Sequence, residues 1–381
     1  MKITVVMGFF LPIPPVAGGA IEKTWHRLSQ ELVQRGHEVT VISRQWPDWP
    51  AEETLNRVRH LRLPGFDHKP KLWRNLICDL IWSWRVFRHL PSADVVALNT
   101  ISLACWLGRF RQYAGKVVVM PGRMPKGQFH LYQRPALILV PSTPVKNAVL
   151  RERPTFDKLI RTIGYPIDWR SISAQSQKQA DVVTIGYVGR IHQEKGIDLL
   201  AAALKRLAKM ELPAWRAIVC GPADIARGGS GPDYLAELRR AAPSQVEFRD
   251  PVFHEPSLHE LYQQFDIFCY PSLAAHGETF GVSVAEAMAG GAAPIVSDLE
   301  CFLDFVKPGE TGLTFNALAA DAVDHLVDHL VTLITEPAVR ATMGQAAQQT
   351  VKAYDFARYA DDRLAEFAQL TNATKTASSP P

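Results

Sequence analysis

Cysteine is scarce in this chain: Cys78, Cys105, Cys220, Cys269 and Cys301 among 381 residues, with no C-x-x-C pair. Four of the five lie in or beside apolar segments, so they read as reduced core residues of a cytosolic protein, not as a disulfide framework. Long apolar runs are missing too, and nothing reaches the roughly 18 consecutive apolar residues of a membrane-spanning helix. The opening MKITVVMGFFLPIPP starts like a secretory signal. Pro12, Pro14 and Pro15 follow with no small-residue cleavage pattern, so a strand entering a loop is predicted instead. No G-x-G-x-x-G follows a strand, which argues against a NAD dehydrogenase, and no GxxxxGK[ST] occurs, which excludes a Walker loop. No D-x-D occurs either, so no metal bridging a diphosphate is expected, nor any other cofactor. His325 and His329 stand four apart beside Asp324 and Asp328, a metal-compatible spacing. No third ligand motif accompanies them, and a solvated helix face is expected.

The composition present is that of an ordinary soluble protein, 21% charged and 47% hydrophobic. At roughly 150 residues per domain, the length implies two domains or a little more. The net charge of +4 is unevenly spread. Residues 1–168 carry 24 Lys and Arg against 12 Asp and Glu, leaving 18 against 26 for the remainder. A basic half points to an anionic partner such as an acceptor phosphate, an anionic lipid surface or an acidic glycan. Ordinary drift in surface charge is the plainer alternative. Nucleic acid is not among the expected partners.

Short β-rich apolar runs alternate with helical patterns throughout. In the first half they are 3–8, 38–43, 94–99, 116–122 and 137–142; in the second, 183–189, 217–221, 246–250, 267–272 and 293–298. Near-continuous apolar strands separated by helices predict parallel sheets covered on both faces. The first helix is legible from Ile21, Trp25, Leu28 and Leu32 on one face, with Gly36 ending it. The polar stretch within 165–181 marks a boundary, giving domains 1–168 and 169–350. The helical stretch about 336–370 follows the second sheet, and its end, about 350–370, can pack back on the first domain. The tail 371–381 is expected to be disordered.

Two segments of the second domain carry chemistry. Strand VTIGYVG leads into Gly189-Arg190, then Lys195-Gly196 and a helix. A strand-to-helix loop converges amide N–H groups and the helix dipole on one point, and Arg190 and Lys195 add two cations, so the loop suits a diphosphate. A surface loop with two basic residues is the alternative. In HGETFGVSVAEAMAGG, residues 276–291, Glu278 and Glu286 flank a tight turn at Phe280-Gly281 whose amides can meet an anion. Glu286, one turn inside the following helix, can accept both hydroxyls of a ribose; Glu278, on the loop, can accept hydroxyls of a sugar. Ser283 to Glu286 also fits a capping box, with Glu286 folding back on the helix start.

The G-R-x4-K-G segment, Gly221-Pro222 after the next strand, and E-x7-E within ETFGVSVAEAMAGG together resemble the family-4 retaining glycosyltransferases. GGAIEK followed by RGHEVTVIS is similar to that family's N-terminal signature, and GETGLTF near 309–315 to the end of its second domain. The resemblance covers roughly residues 2–350. It implies an α/β fold of the GT-B type: two Rossmann-like, doubly wound parallel-sheet domains facing each other across a cleft. It implies a hexosyltransferase moving a sugar from a nucleotide-diphosphate-sugar to an acceptor hydroxyl with retention, in cell-envelope polysaccharide or glycoconjugate synthesis. Arg190, Lys195 and Glu278 would be catalytic. Donor binding would involve Gly18, Gly19, Gly189, Arg190, Lys195, Gly221, Glu278, Thr279, Phe280, Gly281, Val282 and Glu286.

The first domain departs from the family pattern. Pro121 stands where a histidine is usual after the fifth strand, and Asn99 where a second is common after the fourth. Asn99, Arg123 and Lys126 are therefore the acceptor-side candidates, with a structural proline turn as the alternative. The acceptor could be a glycan, a lipid-linked molecule or a small molecule. Two rivals keep the fold: a nucleotide-sugar 2-epimerase, against which the missing histidine counts, and a donor-binding inactive partner subunit.

Residues 69–89 are basic and aromatic. Trp73, Leu76, Ile77, Leu80, Trp84 and Phe87 share one helical face, which is expected to pack on the sheet. Peripheral contact with the inner face of an anionic membrane is the alternative for an otherwise cytoplasmic protein.

Overall fold

The computed structural model describes residues 1–16, 19–69, 71–110, 115–174, 178–179, 181–275 and 277–377. It divides into two compact units: Met1–Pro166 together with the chain from Phe356 onward, and Ile167–Asp355.

The first unit runs β1 (Lys2–Val6), α1 (Ala20–Gln34), β2 (Glu38–Arg44), β3 (Glu52–Leu55), β4 (Val58–Leu63), α2 (Leu72–His89), β5 (Val95–Leu98), α3 (Ser102–Phe110), β6 (Lys116–Val119), β7 (Leu137–Val140), α4 (Thr143–Glu152) and β8 (Ile160–Thr162). The second runs α5 (Trp169–Ser173), β9 (Val183–Val188), α6 (Ile197–Leu207), β10 (Trp215–Cys220), α7 (Pro232–Ala241), β11 (Val246–Arg249), α8 (Glu255–Tyr262), β12 (Ile267–Tyr270), α9 (Val282–Ala289), β13 (Ala293–Ser297), α10 (Glu300–Leu303), β14 (Leu313–Phe315), α11 (Ala322–Thr335) and α12 (Pro337–Val351). The last helix, α13 (Phe356–Ala377), returns to the first unit.

The first sheet has the order β3-β4-β2-β1-β5-β6-β7-β8, parallel except for the β3–β4 hairpin. The second is wholly parallel, β11-β10-β9-β12-β13-β14. Each chain path steps outward from its first strand, returns and continues on the other side. The winding reverses between β1 and β5 in one unit and between β9 and β12 in the other, and such reversals are where open α/β sheets bind ligands, beyond the carboxyl ends of the strands.

Strand periodicity sorts the first core into two faces. Val6, Ile42, Val96, Leu98 and Val119 lie with α2, α3 and α4 on one side; Val5, Val41, Val95, Ala97 and Val118 lie with α1 and α13 on the other. Trp25, Leu28 and Leu32 of α1 are buried as expected, while Ile21 is only partly so. Gly36 ends the helix with φ +84°: its N–H donates to Val33 O at 2.9 Å and that of His37 to Leu32 O at 3.3 Å, a Schellman closure.

Several expectations are corrected. Within the polar stretch at 165–181, residues 169–173 form α5, started by Asp168, whose carboxylate accepts from Ser171 N and Oγ at 3.4 and 2.9 Å. The described part of the tail, 371–377, continues α13, whose Phe367 is fully buried against the first sheet, and residues 378–381 lie outside the described residues. Helix α2 exists but is turned the other way. Cys78, Trp82 and Val86 enter the core, whereas Trp73, Leu76, Ile77, Leu80 and Trp84 are exposed and Phe87 is half-buried. Apolar residues occur all round this helix, so polar partners choose its orientation. Trp82 Nε1 donates to Met7 O at 3.0 Å, and Asp79 accepts from Ser102 N at 2.8 Å and Oγ at 2.6 Å, both on the inner side.

Candidate functional site in the second unit

The carboxyl end of β9 runs into Gly189 and Arg190, then a 3₁₀ turn at Gln193–Lys195, then α6. The guanidinium of Arg190 donates to Gly228 O at 2.8 Å and to Glu194 Oε1 at 2.6 Å. Lys195, 4% exposed, forms an ion pair with Glu278, itself 8% exposed. Glu194 Oε1 lies 3.8 Å from Lys195 Nζ, so one carboxylate neighbours both cations. Ser272 Oγ donates to Glu278 Oε1 at 3.0 Å from the loop after β12. The chain Arg190–Glu194–Lys195–Glu278–Ser272 thus bridges the loops after β9 and β12, the two strands at the winding reversal. Beneath it Tyr187 and Tyr270 stack with ring centroids 5.4 Å apart. Burial pushes the Tyr270 phenol well above its usual pKa, and the Glu278 charge adds to the rise.

The other predicted residues fall around this chain. Gly189 N donates to Cys220 O at 3.0 Å, which sets Gly221 beside the same loop. Thr279 is half-buried, while Phe280 packs its ring on Phe305 and Tyr354 at 4.8 and 5.2 Å, so its side chain is structural. Gly281 starts α9 with φ +99°, and a Cβ there would lie 2.5 Å from the Phe302 ring. With Gly281 as N-cap, Val282 and Ser283 are the first helical residues and no side chain caps the helix. The alternative capping box is therefore absent, because Ser283 lies two positions too far into the helix to cap it. Glu286 is half-buried and meets Tyr262 instead: burial raises the Tyr262 phenol well above its usual pKa, and the nearby Glu286 carboxylate raises it further. An open cavity of about 520 Å³ adjoins the loops after β10 and β11, lined among others by Gly221, Pro222, Arg227, Arg249 and Phe253.

In the first unit, Asn99 and Pro121 share a cavity of about 20 Å³ with Ile21, Thr24 and Tyr165, room for about one water. Arg123 and Lys126 are exposed; Lys126 N donates to Gln128 Oε1 at 2.7 Å. Gly18 lies outside the described residues. Gly19, at φ +99°, starts α1, and Glu22 Oε2 would lie 2.1 Å from a Cβ there. Glu22 is 7% exposed, and burial raises its carboxyl pKa, opposed by its own backbone and by the charge of Arg123. Glu194, a member of the cluster in the second unit, and Glu22, buried at the start of α1, are residues that sequence reasoning did not single out. The signals were present: an acid in the first turn after Gly18-Gly19, and an acid four residues after Arg190. His325 Nε2 lies 3.3 Å from Asp321 Oδ2, and His329 Nε2 donates to Thr314 O at 3.1 Å, so each of the two has a local partner.

Comparison with known proteins gives matches in both units. Residues 169–350 match the family described as glycosyl transferases group 1, and residues 19–120 the glycosyl transferase 4-like domain. The chain is 27% identical over 394 residues to a phosphatidyl-myo-inositol mannosyltransferase of Mycolicibacterium smegmatis, covering 93% of this chain and 90% of that protein. It is 29% identical over 198 residues to a D-inositol 3-phosphate glycosyltransferase of Kribbella flavida, covering 50% of this chain but 44% of that one. Apart from the mannosyltransferase, the chain thus spans less than half the length of the curated relatives it first matches. Among solved structures, sucrose-phosphate synthase from Thermosynechococcus elongatus superposes with a TM-score of 0.78 at 20% identity, covering 98% of this chain and 100% of that one. That likeness gives the GT-B fold. With the two family matches lying in the two units, the chain belongs to the family-4, group 1 glycosyltransferases.

Proposed function

We propose that the chain transfers a sugar from a nucleoside-diphosphate donor to an acceptor hydroxyl with retention of anomeric configuration, without a metal and without a covalent enzyme intermediate. The buried Lys195–Glu278 pair at the β9/β12 reversal carries this reading. Lys195 and Arg190 hold the diphosphate oxygens, with amides at the start of α6 and α9 adding to the positive field where charge develops as the diphosphate departs. Glu278 accepts hydroxyls of the transferred sugar and Glu286 those of the ribose. The acceptor oxygen forms its bond to the anomeric carbon on the face from which the phosphate oxygen leaves, and that oxygen takes the acceptor's proton. Arg190 already has a carboxylate partner in Glu194, so the donor must displace or share that contact.

The acceptor is a glycan, a lipid-linked molecule or a small molecule. It is met in the cytoplasm or at the inner face of an anionic membrane, in cell-envelope polysaccharide or glycoconjugate synthesis. The mannosyltransferase relative, named for phosphatidyl-myo-inositol, supports an acceptor with a phosphate. Incubation with donor labelled in the sugar tests the reading. Labelled glycoside with the donor's anomeric configuration is expected. Labelled epimeric sugar nucleotide as product, or donor that is bound but unchanged with every acceptor class, contradicts it.

A further inference from the structure

Among the described residues, helix α2 leaves an apolar stripe exposed. Trp73, Leu76, Ile77, Leu80, Ile81 and Trp84 are 55, 44, 48, 46, 40 and 51% exposed. Their spacing of three and four puts them on one side of the helix, and the eleven steps from Trp73 to Trp84 cover about 16 Å. The stripe widens at its far end, where Trp106 of α3 packs edge-on to Trp84 at 5.6 Å and Ile101 is 39% exposed. Single exposed apolar residues are normal in soluble proteins, whereas a contiguous strip of this kind marks an interaction surface. The helix is anchored from the opposite side through Trp82 and Asp79, so the stripe is a fixed face of a packed element.

The charges beside the stripe select the partner. Arg74, Arg88 and His89 on the same helix and Lys71 at its N-cap are exposed, and the Arg74 guanidinium lies over the Trp73 ring, 5.3 Å from the centroid. At 100° per residue, Arg74 borders the stripe beside Ile81, and Arg88 continues its line one turn beyond Trp84. Asp79 is the only acidic residue between Asp67 and Asp94, and it is buried; from Asp94 to Glu152 there is no acid at all. An apolar face edged by cations and free of exposed carboxylates is complementary to an anionic lipid surface. Trp73 and Trp84 have the amphipathic rings that lodge at headgroup depth. No helix among the described residues is long and apolar enough to cross a membrane, so the contact is one of lying on the bilayer.

We propose that the exposed face of α2, from Trp73 to Trp84 with Arg74 and Arg88 at its edge, docks the chain on anionic bilayers. This is independent of the transferase reading, since the stripe shares no residue with the donor site.

Co-sedimentation of the full chain with vesicles tests it. One set is phosphatidylcholine alone and one contains phosphatidylglycerol. Wild type should pellet with the anionic set and not the neutral one, and release as salt rises. The triple variant Trp73→Ser, Leu80→Ser, Trp84→Ser should bind at least about ten-fold more weakly. Arg74→Gln with Arg88→Gln, which keeps the apolar face, should lose roughly five-fold per charge. These side chains are largely exposed and Trp84 loses only its ring contacts with Phe87 and Trp106, so melting temperatures should stay close to wild type. Wild type that stays in the supernatant with anionic vesicles, or pellets equally with neutral ones, overturns the proposal. So does a wild-type dimer without vesicle binding that the triple variant converts to monomer, because the stripe would then belong to a second copy.

Discussion

Lys195 and Glu278 form a buried ion pair across 83 residues of sequence, with side chains 6% and 10% exposed. A charge at that depth is costly without its partner, so the two loops after β9 and β12 are held together by mutual need. Removing one partner of such a pair typically costs about 3–5 kcal/mol, while replacing both by apolar groups can be near neutral. Lys195→Met and Glu278→Leu should each destabilise by that order, and the double variant by clearly less than their sum. Denaturant midpoints of the four proteins decide it; additive losses would show that the pair does not couple.

Glu286→Gln separates a ribose ligand from a support for Tyr262. Glutamine keeps an oxygen that can accept from the Tyr262 hydroxyl, so stability should change by only a few tenths of a kcal/mol. Affinity for nucleoside diphosphate should fall, because an amide accepts hydroxyl protons less strongly than a carboxylate. Unchanged affinity in calorimetric titration removes the ribose role and leaves Glu286 to Tyr262.

Turnover should persist in a chelator. The cations placed for a diphosphate are Arg190 and Lys195, and the sequence has no D-x-D to carry a metal. Loss of activity that magnesium or manganese restores would overturn this.

Acid stability should depend on His60, on β4. Burial, with Arg62 nearby, lowers its pKa from 6.5 to about 4. The folded state resists protonation while the unfolded chain accepts a proton near pH 6.5. Its contribution is therefore complete above that pH and lost as pH falls toward 4, by up to roughly 3 kcal/mol. Folding free energy measured at pH 7 and pH 4 should show this slope in wild type, and a flatter one in His60→Gln. Equal slopes would exclude His60 as the cause.

The parallel strands were legible because each is a short apolar run, and their alternation of side chains builds both faces of the first core. The β3–β4 hairpin was not. Its turn uses Asn56 and Arg57, both at positive φ (48° and 65°), where a glycine would have been the signal. The orientation of α2 was misjudged because periodicity finds an apolar stripe but not which stripe has hydrogen-bond partners beneath it. At the candidate site, the spacing of Arg190, Lys195, Glu278 and Glu286 was readable. The sharing of Glu194 between two cations and the contact of Glu286 with Tyr262 were not, because they depend on how the turn and α8 are packed. The supposed capping box failed for a local reason, the start of α9 at Gly281 rather than Ser283.

Titration of uridine, guanosine and adenosine diphosphate sugars into wild type and Arg190→Ala tests the central claim most directly. Arg190 is 43% exposed in its side chain, so its loss should leave the fold intact. One of the donors should bind wild type, and binding to Arg190→Ala should be about ten- to a hundred-fold weaker, as expected for a charge-assisted hydrogen bond of roughly 1.5–3 kcal/mol. Equal affinity for both proteins, or no binding of any sugar nucleotide to wild type, would contradict the assignment of this site to the donor diphosphate.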